Sequence, residues 1–325
     1  MVSGRKKRID GIDIVDVGDH RLNRLNDRFI KHLLAGPQSK PILIDFINDA
    51  LLFEGRNAIT DLTEISGEIT SDYAGSKLSR LDVSAKFADG RTCDVEVQVV
   101  NHHDFRHRAL FYWSMRHRHK LKKGMTYAEI KSTICICLLA FNLLDEEEAY
   151  RNSYRIRNDE SGKALSDDLQ IIYLELPKFR TQVESPGTGL ERWLLYFSNE
   201  EVERMSRIAE MDPDILYALE LENAFWGDDA ERERYFIAQK QLLDEISNER
   251  TYEVLLKQKT AEAEAKGEAK GEAKGRIEGR IEGRVEGEAE GMFKVARNLL
   301  GMGLDMATIT KATGLSEDDL AQLRV

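Results

Sequence analysis

What this chain has little of narrows the field first. Three cysteines in 325 residues, at positions 93, 135 and 137, rule out the disulfide framework of a small secreted domain. They read instead as small core residues in apolar strands. No stretch approaches the roughly 18 consecutive apolar residues of a membrane-spanning helix. The start, MVSGRKKRID, is basic with no apolar run behind it, unlike a secretory leader. A cytoplasmic location with no membrane partner is therefore expected. Positive charge is also in deficit: 47 Lys and Arg against 58 Asp and Glu leave a net charge of -11. An anionic partner would be repelled by most of such a surface and must be met at a local patch.

One such patch exists. Between Phe105 and Ala128 there is no acidic residue, while Arg106, Arg108, Arg116, Arg118, Lys120, Lys122 and Lys123 all fall there. The segment predicts a helix of about four to five turns, with Asp104 as N-cap and Gly124 as C-cap. Phe105, Ala109, Tyr112, Trp113 and Arg116 recur at three- and four-residue spacing, the inward stripe of that helix. Most of the stripe is packing; the Tyr112 hydroxyl is the member able to reach a neighbouring polar face. Five of the seven histidines lie between His102 and His119. His103 and His107 have a usable zinc spacing, but no third ligand is evident, so basic helix surface is the favoured reading.

Just before this segment lies the most informative pattern, RLDVSAKFADGRTCDVEVQVV. Leu81, Val83, Ala85 and Phe87 alternate with Asp82, Ser84 and Lys86. Cys93, Val95, Val97 and Val99 alternate in the same way with Asp94, Glu96 and Gln98. Period-two alternation marks two half-buried strands. A three-residue loop, Ala88-Asp89-Gly90, with Gly90 left-handed, pairs Phe87 with Arg91. Counting back sets Asp82 opposite Glu96 on one face, with Cβ atoms roughly 5 Å apart. A two-residue turn would oppose Asp82 to Val97 and break both stripes. Two facing carboxylates repel each other unless they share a hard divalent cation such as Mg2+ or Mn2+. The alternative is an ordinary wet face with scattered charges, the reading given to Asp89, Arg91 and Asp94.

A helix, this hairpin with its Asp and Glu-x-Gln, a basic helix and the apolar strand KSTICICLLAF follow one another in the order of the PD-(D/E)XK nuclease core. The details resemble the recombination-promoting nuclease (transposase-like) family of bacteria within that superfamily. The matching residues are Asp27-x-Phe29-x-Lys31, LIDFINDAL (43–51), Leu81-Asp82-Val83 and Val95-Glu96-Val97-Gln98, then RHRALFYWS (106–114), LKKGMTY (121–127) and ICLLAF (136–141). The resemblance covers roughly residues 20–200. It implies an α/β fold with a restriction-endonuclease-like mixed sheet flanked by helices. It further implies a metal-dependent DNA endonuclease, linked to recombination or mobile elements, with Asp82 and Glu96 holding the metal.

The departure lies at Gln98, where the superfamily usually has lysine. Glutamine can orient a water or donate to a phosphate oxygen, but it carries no charge. Related nucleases combine such a glutamine with a helical tyrosine, and Gln98 with Tyr112 is similar to that pair. Lys86, on the same face, is about 13 Å along the strand from Asp82. Asp27 matches the family's further acidic position and is equally readable as an N-cap of the helix starting near Arg28. Lys31 either approaches phosphate or lies in solvent. Asp45 and Asp49 read as the wet edge of an otherwise apolar helix. Arg106, Arg108 and Arg116 are the candidate DNA contacts, and no small-molecule cofactor is implied. A catalytically silent DNA-binding or assembly protein with the same fold is the competing reading. A single nuclease centre cuts one strand per encounter, so double-strand breaks would favour a homodimer.

The remaining organisation reads as a mobile basic arm at 1–18, the nuclease-like core at 19–200 and a helical extension at 201–259. Beyond them lie a Gly/Glu/Lys spacer at 260–291 and a helix-turn-helix-like element at 292–325. LQIIYLELPKF (169–179) predicts a strand stopped by proline. Glycine at every fourth position from Gly267 to Gly291 costs a helix about 1 kcal/mol each, so a frayed, partly helical spacer is expected. In the last element the turn Thr313-Gly314-Leu315 leads to a second helix capped by Ser316. That helix opens with Glu317, Asp318 and Asp319, which favours a packing or protein-contact role over base reading.

Overall fold

The computed structural model describes residues 6–9, 12–15, 22–67, 83–102, 104–198 and 202–323. They fall into two compact units, residues 1–249 and residues 250–325.

In the first unit, β1 (Lys6–Ile9) and β2 (Ile12–Val15) pair as an antiparallel ribbon within the segment read as an arm. Two helices follow, α1 (Asp27–Ala35) and α2 (Lys40–Leu51). Each buries a stripe at three- and four-residue spacing: Phe29, Ile30, Leu33 and Leu34 in α1, and Ile42, Leu43, Phe46, Ile47, Ala50 and Leu51 in α2. Then come β3 (Leu62–Ser66), β4 (Val83–Phe87), β5 (Thr92–Gln98), α3 (Phe105–His119), β6 (Thr133–Leu139), β7 (Arg151–Tyr154) and β8 (Leu169–Glu175). The six strands of this unit's large sheet lie in the order β3-β4-β5-β6-β8-β7. β3, β4 and β5 form an antiparallel meander, α3 carries the chain across to a parallel β6, and β8 lies parallel beyond it. β7 closes the far edge antiparallel to β8. The mixed sheet expected from the sequence is present.

The sheet's two faces are unequal. Val83, Ala85, Phe87, Cys93, Val95, Ile134, Ile136, Ile172 and Leu174 join the main core with α1, α2 and the later helices. On the other face a smaller cluster packs Phe105 and Ala109 of α3 over Cys135, Cys137, Leu139, Ile171 and Tyr173. α3 therefore covers β6 and β8 and leaves the polar face of the meander largely to its own side chains. All three cysteines are buried and reduced. Among the described residues no helix is long and apolar enough to cross a membrane.

α3 stops earlier than the sequence suggested. It ends at His119 with Lys120 as its C-cap, and Gly124 (φ +92°) sits in a later turn. Past His119 the next apolar residue, Leu121, is exposed, so a further turn would bury nothing. Pro177 also does more than stop a strand: it lies in the first turn of α4 (Leu176–Gln182), where its missing N–H is no loss. α5 (Gly189–Phe197), α6 (Val202–Ala209) and α7 (Pro213–Gly227) complete the core of this unit, so the helical cap is as expected. Trp193 and Phe197 meet Phe46 edge-on with ring centres 6.0 and 5.5 Å apart. Such contacts add ~1 kcal/mol each beyond area burial.

α8 (Asp229–Gly301) runs without a break through the whole glycine-punctuated stretch, in place of the frayed spacer expected. The residues between the glycines are strong helix formers, and Arg276–Glu272, Lys274–Glu278 and Arg284–Glu288 pair along it at i,i+4. Among the described residues nothing packs against the glycines of this stretch. In the second unit, α9 (Met306–Thr313) and α10 (Glu317–Gln322) meet the end of α8 through Ala296, Ile309 and Leu320. Gly314 at φ +75° makes the turn, and Ser316 forms a capping box with Asp319, as read from the sequence.

Candidate active site

The hairpin has the register that its alternation requires. Val83 pairs with Val95, Ser84 with Asp94, Ala85 with Cys93 and Lys86 with Thr92. Phe87 N donates to Arg91 O at 2.9 Å, Gly90 N donates to Phe87 O at 3.0 Å, and Gly90 has φ +87°. This is the three-residue loop with a left-handed glycine that keeps both stripes intact. Asp82, the residue before Val83, lies outside the described residues, as does His103.

On β5 the polar stripe is Asp94, Glu96 and Gln98, and both carboxylates are 1 % exposed. The Gln98 amide donates to Glu96 Oε1 at 2.8 Å. The glutamine that replaces the usual lysine thus orients the glutamate. Asp94, read from the sequence as a scattered surface charge, is a buried member of the site. Arg116, one turn from the end of α3, places Nε 3.1 Å from Asp94 Oδ1, and its Nη2 donates to Ser84 Oγ on the facing strand. Burial pushes the Asp94 carboxyl upward and the adjacent Arg116 charge opposes this. Asp94 Oδ1 accepts no hydrogen bond among the described residues. The signal that could have found Asp94 was its parity with Glu96; half a stripe cannot be wet while the other half is buried.

The candidate DNA contacts are redistributed. Arg116 is engaged by Asp94 and Ser84, so it braces the hairpin from α3. Arg106 is held by Glu146 at 2.7 Å and by Leu143 O at 2.7 Å, on the β8 side of α3. Arg108 donates to the Tyr112 hydroxyl at 3.3 and 3.2 Å through two nitrogens, a pairing along α3 itself in place of the expected reach to the hairpin. His102 meets Glu245 at 2.7 Å. Among the described residues no three His, Cys, Asp or Glu side chains converge on a metal position.

On α1 the cap is Asn26, whose side chain accepts from Arg28 N and Phe29 N. Asp27 is therefore not the cap; it is the first helical residue, exposed, and pairs with Lys31 at 2.7 Å. Asn26 outcompetes it because its position, one residue earlier, has the extended backbone that aims a side chain at the free N–H groups. Lys31 packs beside Gly67, where a Cβ would lie 3.7 Å from Lys31 Cγ. Gly67 follows Ser66, the partner of Ser84, so Lys31 lies just past the end of β3, on α1, which packs on the sheet face opposite Asp94 and Glu96. Lys86 pairs with Thr92 at the opposite end, four residues along β5 from Glu96.

Beside the acids the same face opens into a cleft of about 690 Å³ under the C-terminal end of α3. Its lining includes Ser84, Lys86, Thr92, Arg116, Lys120, Lys122 and Lys131. The Lys120 ammonium donates to the carbonyls of Ser132 (2.6 Å) and Lys131 (3.0 Å). Burial pulls its pKa down to about 8. Sequence inspection passed over Lys131, which lies outside the acid-free segment.

Comparison with protein families agrees with this architecture over both units. The family described as PD-(D/E)XK nuclease family transposase matches residues 24–251. The family described as Rpn/YhgA-like nuclease family, C-terminal HTH domain, matches residues 289–325. No curated protein and no solved structure matches the chain. With a mixed sheet, a basic crossover helix and a glutamate–glutamine pair at the end of the meander, the chain belongs to the PD-(D/E)XK nuclease family transposases.

Proposed function

We propose that the protein is a Mg2+-dependent endonuclease that hydrolyses phosphodiester bonds in DNA, in keeping with its family. The observation that carries this reading is the ladder of the β4–β5 hairpin. Its described pairs keep the register that the sequence alternation requires and end at Val83–Val95, next to Glu96; the pairing of Asp82 with Glu96 is the sequence count alone. Asp82 and Glu96 together would be an oxygen-only donor set. Mg2+ suits it because that ion takes one or two protein carboxylates and fills its remaining positions with water and phosphate oxygens. The absence of a third converging ligand among the described residues is compatible with that habit. Mn2+ would fit the same donors. When bound, the ion would supply Lewis acidity at the scissile phosphate and lower the pKa of a water.

The chain's own residues supply position and charge. Gln98 holds one oxygen of Glu96 and so fixes the orientation of the carboxylate. Arg116, anchored on Asp94, ties α3 to the hairpin and keeps the acids in register. Lys31 is paired with Asp27 beside Gly67, and its assignment as a phosphate contact rests on the family resemblance alone. Tyr112 donates from α3 when Arg108 turns to solvent. No side chain near Glu96 is assigned the charge of the superfamily lysine, and a slow enzyme is the expected consequence.

Nicking of supercoiled plasmid in Mg2+ tests the reading. Wild type should cut, while Asp82→Ala and Glu96→Ala should lose at least about a hundredfold in rate, the scale of a lost group acting on the transition state. Cutting at the wild-type rate in both variants would remove the assignment. Binding without cutting by the wild type would instead favour the silent DNA-binding reading, which Gln98 supports.

A further inference from the structure

The cleft beside the acids is not part of any carboxylate centre. We infer that it grips the backbone phosphates of one nucleic-acid strand, a few nucleotides from the bond cut at Glu96. This deepens the nuclease reading and rests on it. Four observations carry the inference.

The first is charge. In a chain of net charge -11, the cleft is lined by Lys86, Arg116, Lys120, Lys122 and Lys131 against Glu64, Asp89 and Glu129. Arg116 is balanced by Asp94, Asp89 by Arg91, and Glu129 is consumed in capping Thr126, which leaves Glu64, across the β3–β4 ladder from Lys86, as the remaining acid. Among the described residues no ion pair engages Lys86, Lys122 or Lys131. Five cations against three acids leave a local positive excess in an acidic protein, which favours an anion.

The second is a buried hydroxyl. Thr92 is 9 % exposed and lines the cleft, yet its Oγ1 has no hydrogen-bond partner among the described residues. A buried hydroxyl without a partner costs about 1–3 kcal/mol. A phosphate oxygen beside Lys86 and Lys131 would supply the acceptor.

The third is size. About 690 Å³ is the scale of a small-ligand site and admits a segment of one backbone, not a duplex. The fourth is alignment. Thr92 and Glu96 lie on one strand and one face, four residues or about 13 Å apart. That distance is roughly four base steps of B-form DNA. A strand whose phosphates sit on Lys86, Thr92 and Lys131 is thereby led along β5 to the acids.

Affinity for a short labelled DNA duplex, measured in EDTA so that nothing is cut, tests the inference in the full chain. Each phosphate contact contributes about 0.9 to the slope of log affinity against log salt. The Lys86→Ala/Lys131→Ala double variant should lower that slope by about 2 and weaken binding roughly tenfold or more at moderate salt. Lys163→Ala, a distant exposed lysine, should change neither. Thr92→Val keeps the shape and removes the unpartnered hydroxyl, so it should weaken DNA binding severalfold while raising the thermal midpoint of the free protein. A calorimetric titration with inorganic phosphate alone distinguishes a free anion from a strand. Phosphate binding lost in the double variant, with the DNA slope unchanged, would overturn the inference, as would a wild type that does not bind DNA. A wild type that binds through these lysines but never nicks plasmid would leave the cleft in place and remove the nuclease reading alone.

Discussion

Two groups of acids in the first unit are wholly or partly buried, and they differ in what stands against them. On the sheet, Asp94 is 1 % exposed and has Arg116 against it. At the junction of α2, α5 and α7, Asp45, Asp49, Asp212 and Asp214 share a single arginine, Arg192, which is committed to Asp212. Asp45 accepts from the Trp193 indole at 2.7 Å and is otherwise pushed toward its neutral form by burial. Asp49, half-buried, is raised to about 7 by burial and then by Asp45. Asp214 is raised to about 6 for the same two reasons. Gly189 permits this crowding, since a Cβ there would lie on top of the Asp49 carboxylate. Burial raises the carboxyls of both groups; on the sheet a dedicated cation opposes that shift, while at the helix junction neighbouring carboxylates add to it.

The sharpest way to break this contrast is to remove the dedicated cation. Arg116→Ala should destabilise the protein by about 3 kcal/mol, because it strands a buried carboxylate. Asp94→Asn added to that variant should recover much of the loss in a denaturant titration. No recovery would mean that Arg116 acts by packing alone.

A smaller effect is expected at the helix junction. The folded-state pKa of Asp49 lies above its unfolded value, so the native state holds an extra proton between about pH 4 and 7. Stability should therefore fall as pH rises through that window and remain lowered above it. Asp49→Asn should match wild type near about pH 4 and exceed it above about pH 7, flattening the thermal midpoint against pH. Parallel profiles would assign the slope to another group. The smallest effect belongs to an exposed pair. Arg106→Ala, which breaks the contact to Glu146, should leave the thermal midpoint within error, as screened surface pairs do.

Much of the site was legible because strand periodicity and turn chemistry are local. Ala88-Asp89-Gly90 needs only the left-handed tolerance of Gly90, and once that loop is set every pair from Val83↔Val95 to Lys86↔Thr92 follows. Gln98 and Glu96 were named together for the same reason. What the alternation could not say was how far the polar face is covered. That depends on where α3 lies, and α3 brings Arg116 across Asp94 and Ser84 from more than twenty residues away in sequence. Asp45 and Asp49 were likewise misplaced in water because their burial comes from α5 and α7, helices over a hundred residues downstream. On α1, Asn26 took the cap from Asp27 by a one-residue difference in backbone conformation that composition does not encode.

By itself the sequence determined the order of elements, the hairpin register, the reduced cysteines and a local excess of cations in an acidic chain. Each of these follows from side-chain alternation, backbone tolerance or charge counted over a short stretch. Only the tertiary structure decided which acids are buried, which arginine is committed to a carboxylate, and that Lys86, Thr92, Lys120 and Lys131 border one cleft. Those outcomes depend on how a crossover helix seats on a twisted sheet. That seating is selected by packing among residues distant in the chain, and no window of sequence contains it.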